Sequence, residues 1–262
     1  MAIIQLSEND KHWINENFPT LEFKKRGRAD TLEGKFYFDV TIRLKNKIVS
    51  DDVRIKDVYD LVILFEDSKN SSLPQVREVA GRITQSALKW GVVDCTGQVD
   101  YWGMHVYYKN GHACLCAKTE EPQHFPSGFD IEVFMNKLVV NFLYYQSFFE
   151  RYAHEPWEGY SHFGLGVVEN YADVCSKEHE RLDTFIKYLK TQSDWWKIKS
   201  LLIKKKINSE LCPCLLKKPF REFSKFRKCH KKAYRGIRLM QRHLRERNTR
   251  TGIDIQNLIE II

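Results

Sequence analysis

The chain reads as an α+β protein in which helices are segregated from an antiparallel sheet. Three observations predict this class. Phe36, Phe38, Val40 and Ile42 alternate strictly with other residues, the period of a half-buried strand. Tyr59 to Phe65 is a dense run of strand formers. Sustained helical periodicity then begins only near Phe129. At 262 residues and 43% hydrophobic, with 13% aromatic, the chain has enough apolar surface for a core and does not have the composition of a disordered protein.

Taken in order, the first element is a short helix capped by Ser7, with Asp10 three residues on and Trp13, Ile14 and Phe18 on one side; Pro19 ends it. A meander of four antiparallel strands follows: around Leu21 and Phe23, through Phe36 to Ile42 with Gly34 at the turn before it, Tyr59 to Phe65, and Gln75 to Val79 after Pro74. Gly81 to Gly128 carries no regular period and reads as a long irregular stretch, a place where function concentrates. A long helix crosses next, from about Phe129 to Arg151, with Ser127 and Asp130 at its start. Beyond it, Leu182, Phe185, Ile186 and Leu189 are spaced for one helix face. Asp194 is placed to cap a second helix through Leu202, and Tyr234, Ile237, Met240 and Leu244 mark a third from about Lys231 to Arg247.

Charge divides the chain more sharply than hydropathy does. Residues 1–186 carry 21 Lys/Arg against 28 Asp/Glu, whereas residues 187–250 carry 21 against 4, a net of +17. The predicted division is therefore an acidic domain over residues 1–175 and a basic helical tail over 176–262. The basic run over 204–250 is suited to phosphates of nucleic acid, to an acidic protein surface, or simply to solvent. No apolar run reaches the roughly 18 residues of a membrane span, and the first residues do not have the pattern of a secretion signal. A cytoplasmic protein without a membrane partner is expected. No Gly-rich phosphate loop and no GKS or GKT stands in the chain, which argues against its own nucleotide chemistry.

Seven cysteines, an odd number and unevenly spaced, argue against a disulfide framework and for catalytic or metal roles. The irregular stretch holds YWGMHVYYKNGHACLCAK, which places Cys114 and Cys116 beside His105, His112 and an Asn110-Gly111 turn. Cys114 is the first candidate nucleophile and Cys116 the second, a packed strand cysteine being the alternative to either. Cys95 has no partner pattern and reads as core.

A resemblance enters with these residues. YDLVILFEDSKNSSLPQVREV resembles the third and fourth strands of the ubiquitin-conjugating enzyme (UBC) fold, and NGHACL is similar to that family's active-site Asn-Gly-x-Ile-Cys-Leu. The resemblance spans roughly residues 1–172 in the family's order: helix, meander, active-site segment, crossing helix. It implies that Cys114 carries a thioester, with Leu115 packed beneath it. His105 falls near the histidine of the family's His-Pro-Asn motif, but MHVYY stands there, so Asn110, His112 or His105 is left to assist at the oxyanion or in transfer. The divergence resembles bacterial relatives, some from antiphage operons, and PWEGYSHFGLGVVENY resembles the tail of such proteins. The implied partner is a ubiquitin-like protein or a defence nucleotidyltransferase (cyclase), activated by a separate ATP-dependent enzyme. The terminal NLIEII is not a Gly-Gly acyl donor, so the chain reads as transferase and not as modifier. A non-catalytic adaptor of the same fold, or a nucleic-acid-binding protein with a zinc-stabilised tail, is the alternative.

In the tail, LCPCLLKKPFREFSKFRKCHKK resembles the SEC-C zinc motif: CPC and RKCH match, the Gly-Ser-Gly turn is missing, and fourteen residues separate Cys214 from Cys229. The resemblance implies a structural zinc held by Cys212, Cys214, Cys229 and His230, four ligands that leave no open position.

Overall fold

Ser7 opens the first helix reciprocally. Its Oγ accepts the Asp10 N–H at 3.1 Å, while Asp10 Oδ2 accepts the Ser7 N–H at 2.8 Å. Helix α1 (Glu8–Asn17) stops at Phe18, just before Pro19, and buries Ile14 completely. These features belong to a computed structural model that describes residues 3–45, 48–67, 72–93, 96–107, 110–175, 181–207, 210 and 225–262. Cys95, Cys212 and Cys214 lie outside the described residues.

The protein is α+β. Strands β1 (Leu21–Arg26), β2 (Ala29–Arg43), β3 (Asp52–Leu64) and β4 (Gln75–Glu78) form one antiparallel sheet in the order β1-β2-β3-β4. Alternation works as expected in β3, where Tyr59, Leu61 and Ile63 are buried and Phe65 continues the pattern. Gly34 does not sit at a turn. It lies inside β2 with φ +144°, opposite both Leu21 and Leu61, and a Cβ there would stand 2.2 Å from the Thr20 carbonyl oxygen. Glycine is required by that close backbone approach, and the turn falls earlier, at Gly27 and Arg28.

The stretch from Gly81 to Gly128 is expected from its sequence to be irregular, but its described residues include two helices. It begins with α2 (Arg82–Lys89), which buries Ile83, Ser86 and Ala87, and later forms a single helical turn, α3 (Glu121–His124). The crossing helix runs through α4 (Ile131–Val133), a π-helical turn (Phe134–Val139) and α5 (Val140–Tyr152). Asp130 caps it by accepting the Val133 N–H at 2.9 Å. Its inward residues Phe134, Leu138, Leu143 and Phe148 share one buried cluster with Phe36, Ile55, Leu61 and Ile63 of the sheet. Each such side chain contributes about 1.5–3 kcal/mol of burial.

Backbone contacts divide the chain into Met1–Glu158 and Gly159–Ile262. The charge pattern placed the division at 175/176 instead. The difference is α6 (Phe163–Val174), whose charged residues, Glu169 and Asp173, are both acidic and which nevertheless packs with the basic helix α10. Charge describes the solvent side of an element; packing is decided by the other side. The second unit continues with α7 (Leu182–Lys190), α8 (Trp195–Ile203), α9 (Phe226–Cys229), α10 (Lys231–Thr251) and α11 (Ile255–Ile261). Leu182, Phe185, Ile186 and Leu189 are all buried, as their spacing predicts. Asp194 precedes α8 without capping it; its Oδ1 accepts the Gly164 N–H at 2.9 Å and serves the start of α6. No helix among the described residues is long and apolar enough to cross a membrane.

Candidate functional site

Cys114 stands on a tight reversal of the chain laid along the free edge of β4. Tyr107 N–H donates to His112 O at 2.8 Å and Gly111 N–H to Tyr107 O at 2.9 Å, closing the turn. Gly111 takes φ +68° and Asn110 Oδ1 accepts the His112 N–H at 3.2 Å, which is the turn chemistry that an Asn-Gly pair predicts. The returning limb then joins the sheet. Arg77 and His112 form a bridge, and Ala113 N–H donates to Val76 O at 2.7 Å. Cys114 N–H donates to His105 O at 2.7 Å. The two limbs are thus fixed at the backbone before any side chain acts.

Helix α5 holds the outgoing limb from behind. Gln146 Nε2 donates to Met104 O at 2.8 Å, and the His105 ring meets Tyr145 edge-on at 5.0 Å. His105 itself adopts φ +52°, a left-handed conformation unusual for a non-glycine residue. Its role at Cys114 is through its carbonyl. Asn110 spends its side-chain oxygen on the turn. His112 is half-buried beside Arg77, and its Nδ1 has no hydrogen-bond partner among the described residues. Burial first, and the Arg77 charge second, push its pKa below the ordinary histidine value.

The Cys114 thiol is only partly accessible. Burial raises its pKa, the nearby Glu120 carboxylate adds to the rise, and a hydrogen bond from Tyr107 pulls it partly back. Tyr107, the residue at the sulfur, carries no motif signal of its own. It stands two residues past His105, and only the reversal of the chain carries it back to the sulfur. Its ring is held edge-on by Trp102 at 5.6 Å. Cys116 sits in a less favourable place for a nucleophile: burial and the carboxylates of Glu120 and Glu121 all raise its pKa. Glu120 is fixed by accepting the Ala117 N–H at 2.7 Å, and Glu121 by accepting the Ser72 N–H at 3.1 Å. Leu115 and Cys116 both pack against the core.

This arrangement supports a protonated thiol with a hydroxyl donor already at the sulfur. Once deprotonated, a thiolate of raised pKa is the stronger nucleophile, and Tyr107 is positioned to stabilise negative charge on sulfur or on an adjacent oxyanion. Of the sequence candidates, the structure brings Cys114, His105 and His112 into one small segment and assigns Asn110 to its turn.

In the second unit, Cys229 ends α9 as an exposed residue and His230 follows at the head of α10, half-buried. Burial lowers the His230 pKa, with Glu169 opposing. Cys212 and Cys214 are not among the described residues. Among the described residues no group of three or more His, Cys, Asp or Glu side chains converges as a metal site. Comparison of the chain with models of known families, with curated proteins and with solved structures gives no match.

Proposed function

We propose that the first unit is an acyl-carrying transferase of ubiquitin-conjugating type, with Cys114 as its nucleophile. The observation that carries this reading is the seat of Cys114. It lies on a backbone-braced reversal against the sheet edge, between meander and crossing helix, with the Tyr107 hydroxyl at its sulfur. In the first step the Cys114 sulfur attacks the carbonyl carbon of a thioester at the partner protein's C-terminus, delivered by a separate ATP-dependent activating enzyme. The bond to that enzyme's sulfur breaks and the departing thiolate takes up the Cys114 proton. In the second step an amine attacks the new thioester, an amide forms and the Cys114 thiol is restored. The partner is a ubiquitin-like protein or a defence nucleotidyltransferase.

The experiment is trapping in the native host followed by intact-mass measurement of the full-length protein. Wild type is expected to carry a thiol-sensitive protein adduct, Cys114→Lys a stable one, Cys114→Ala none, and Cys116→Ala the wild-type pattern. Bare protein in both wild type and Cys114→Lys sinks the transferase reading. That outcome supports the second reading, a non-catalytic adaptor, which the limited exposure of the Cys114 thiol favours.

For the second unit the proposal is a structural zinc bound by Cys212, Cys214, Cys229 and His230. The adjacency of Cys229 and His230 at the α9–α10 junction supports it, as this donor pair suits zinc. Bound there, the metal would tie the α8–α9 connection to α10. Metal analysis is expected to give one zinc per chain for wild type and none for the Cys212→Ser/Cys214→Ser variant. Equal stoichiometry in the two proteins rejects this ligand set.

A further inference from the structure

The outward face of α10 carries a charge pattern that the helix does not need for its own fold. Inward, Ala233, Gly236, Ile237, Met240 and Leu244 are buried. Outward, Arg235, Arg238, Arg242 and Arg245 are exposed and line a groove of about 630 Å³ together with Leu239 and a single carboxylate, Glu246, among the described residues. The spacing i, i+3, i+7, i+10 keeps all four guanidinium groups on one stripe. At 1.5 Å per residue that stripe is about 15 Å long.

The unit's carboxylates do not neutralise it. Asp173 pairs with Lys232, Asp183 with Arg247, Glu210 with Lys204 and Glu260 with Lys199. None of the four stripe arginines makes an ion pair among the described residues. Their protein contacts are neutral and long: Arg238 Nη1 to Gln241 Oε1 at 3.4 Å, and Arg245 Nη2 to Lys205 O at 3.5 Å. Helix α10 itself is held independently of them, by its buried face and by Gln241 Nε2, which donates to Leu201 O at 2.8 Å and Lys204 O at 2.7 Å. The result is a row of planar, permanently charged forks presented to solvent from a helix whose backbone is held in place.

From this row we infer that α10 binds double-stranded nucleic acid through its phosphates. Arginine is the side chain whose geometry matches phosphate bidentately, and a duplex offers one negative charge per about 1.7 Å of axis, the densest counter-surface for such a stripe. Among the described residues the groove offers no stacking platform for single strands. Its tyrosine, Tyr234, is half-buried and packed edge-on against Phe226 at 5.9 Å. Contacts limited to the backbone make the binding independent of base sequence. This inference does not depend on the chemistry assigned to Cys114.

The test is fluorescence anisotropy of the full-length protein with labelled 20-base-pair DNA and RNA duplexes from 50 to 200 mM salt. Four phosphate contacts predict a log–log salt slope of about −3.6, a loss of roughly 100-fold in affinity across that range. Replacing the four arginines by glutamine is expected to lower affinity at 50 mM salt at least tenfold and to flatten the slope. Replacing them by lysine preserves most of the slope. Arg54→Gln, which removes one surface charge from the first unit, leaves the slope unchanged. Three results overturn the inference: no duplex binding at 50 mM salt, an unchanged slope in the glutamine variant, or competition by polyglutamate as effective as by unlabelled duplex. The last identifies an acidic protein as the occupant.

Discussion

Replacing Gly236 by alanine is expected to destabilise the second unit by about 3 kcal/mol. A Cβ at this position would stand 2.0 Å from the carbonyl oxygen of Val168 and 2.8 Å from its carbonyl carbon, both backbone atoms of α6. Neither can rotate away, so relief requires α10 to separate from α6, and both faces of that contact are buried. The intrinsic helix preference runs the other way, alanine being favoured over glycine by about 1 kcal/mol in a helix interior. The sign of the measured effect therefore decides between local propensity and close helix packing. Urea unfolding of the full-length chain, followed by tryptophan fluorescence, supplies the measurement. Stabilisation, or a change within about 0.5 kcal/mol, would falsify the close approach. The Gly166 position carries the same logic, with a Cβ only 1.7 Å from the Ser161 carbonyl oxygen.

The second large effect concerns Asp57 on β3. Its carboxylate accepts two hydrogen bonds from Arg82 of α2, each at 2.8 Å, one from Ser147 Oγ of α5 at 2.8 Å and one from Val58 N–H at 2.9 Å. Tyr59 completes the cluster, its hydroxyl 3.0 Å from Ser147 Oγ and its ring 4.4 Å beneath the Arg82 guanidinium. Arg82 also reaches Glu150 at 2.8 Å. Burial acts to raise the Asp57 pKa, but these donors outweigh it, Arg82 foremost, and hold it at about 2. Asp57→Asn is expected to cost about 2–3 kcal/mol at pH 7, the part-solvated Arg82 keeping the loss below that of a fully buried pair.

The pH dependence follows from the direction of the shift. A carboxyl whose folded pKa lies below its unfolded value contributes stability that is fully present above about pH 4. That contribution is lost as the pH falls from about 4 toward 2. Wild type and Asp57→Asn should therefore converge in unfolding free energy over this window. Curves that remain parallel down to pH 2 would show that the Asp57 charge does not stabilise the fold.

What could be read in the sequence was local. The Ser7–Asp10 box, the Asp130 cap and the Asn110-Gly111 turn each close within three residues, so composition and spacing suffice to find them. Alternation in β3 and the Leu182-to-Leu189 stripe were legible because each buries one face of one element. Gly34 misled because a glycine flanked by charged residues, here Glu33 and Lys35, commonly marks a turn, whereas this one admits the Thr20 backbone against β2. Asp194 misled similarly. It has the right residue type and position to cap α8, yet its acceptor is taken by an N–H thirty residues away.

By itself, then, the sequence determined the α+β class, the meander and its crossing helix, the buried faces of α7 and α10 in the second unit, and the segment in which Cys114, His105 and His112 meet. Only tertiary structure decided which groups act on one another across the chain. It brought Tyr107 to the Cys114 sulfur, joined Asp57, Arg82 and Ser147, and moved the boundary between units to 158/159 by packing α6 with α10. The physical reason is common to all three. Periodicity and capping record what an element does to its own neighbours along the chain. Hydrogen bonds between distant polar groups, and glycines at helix crossings, depend on where the backbone returns, and no local pattern encodes that return.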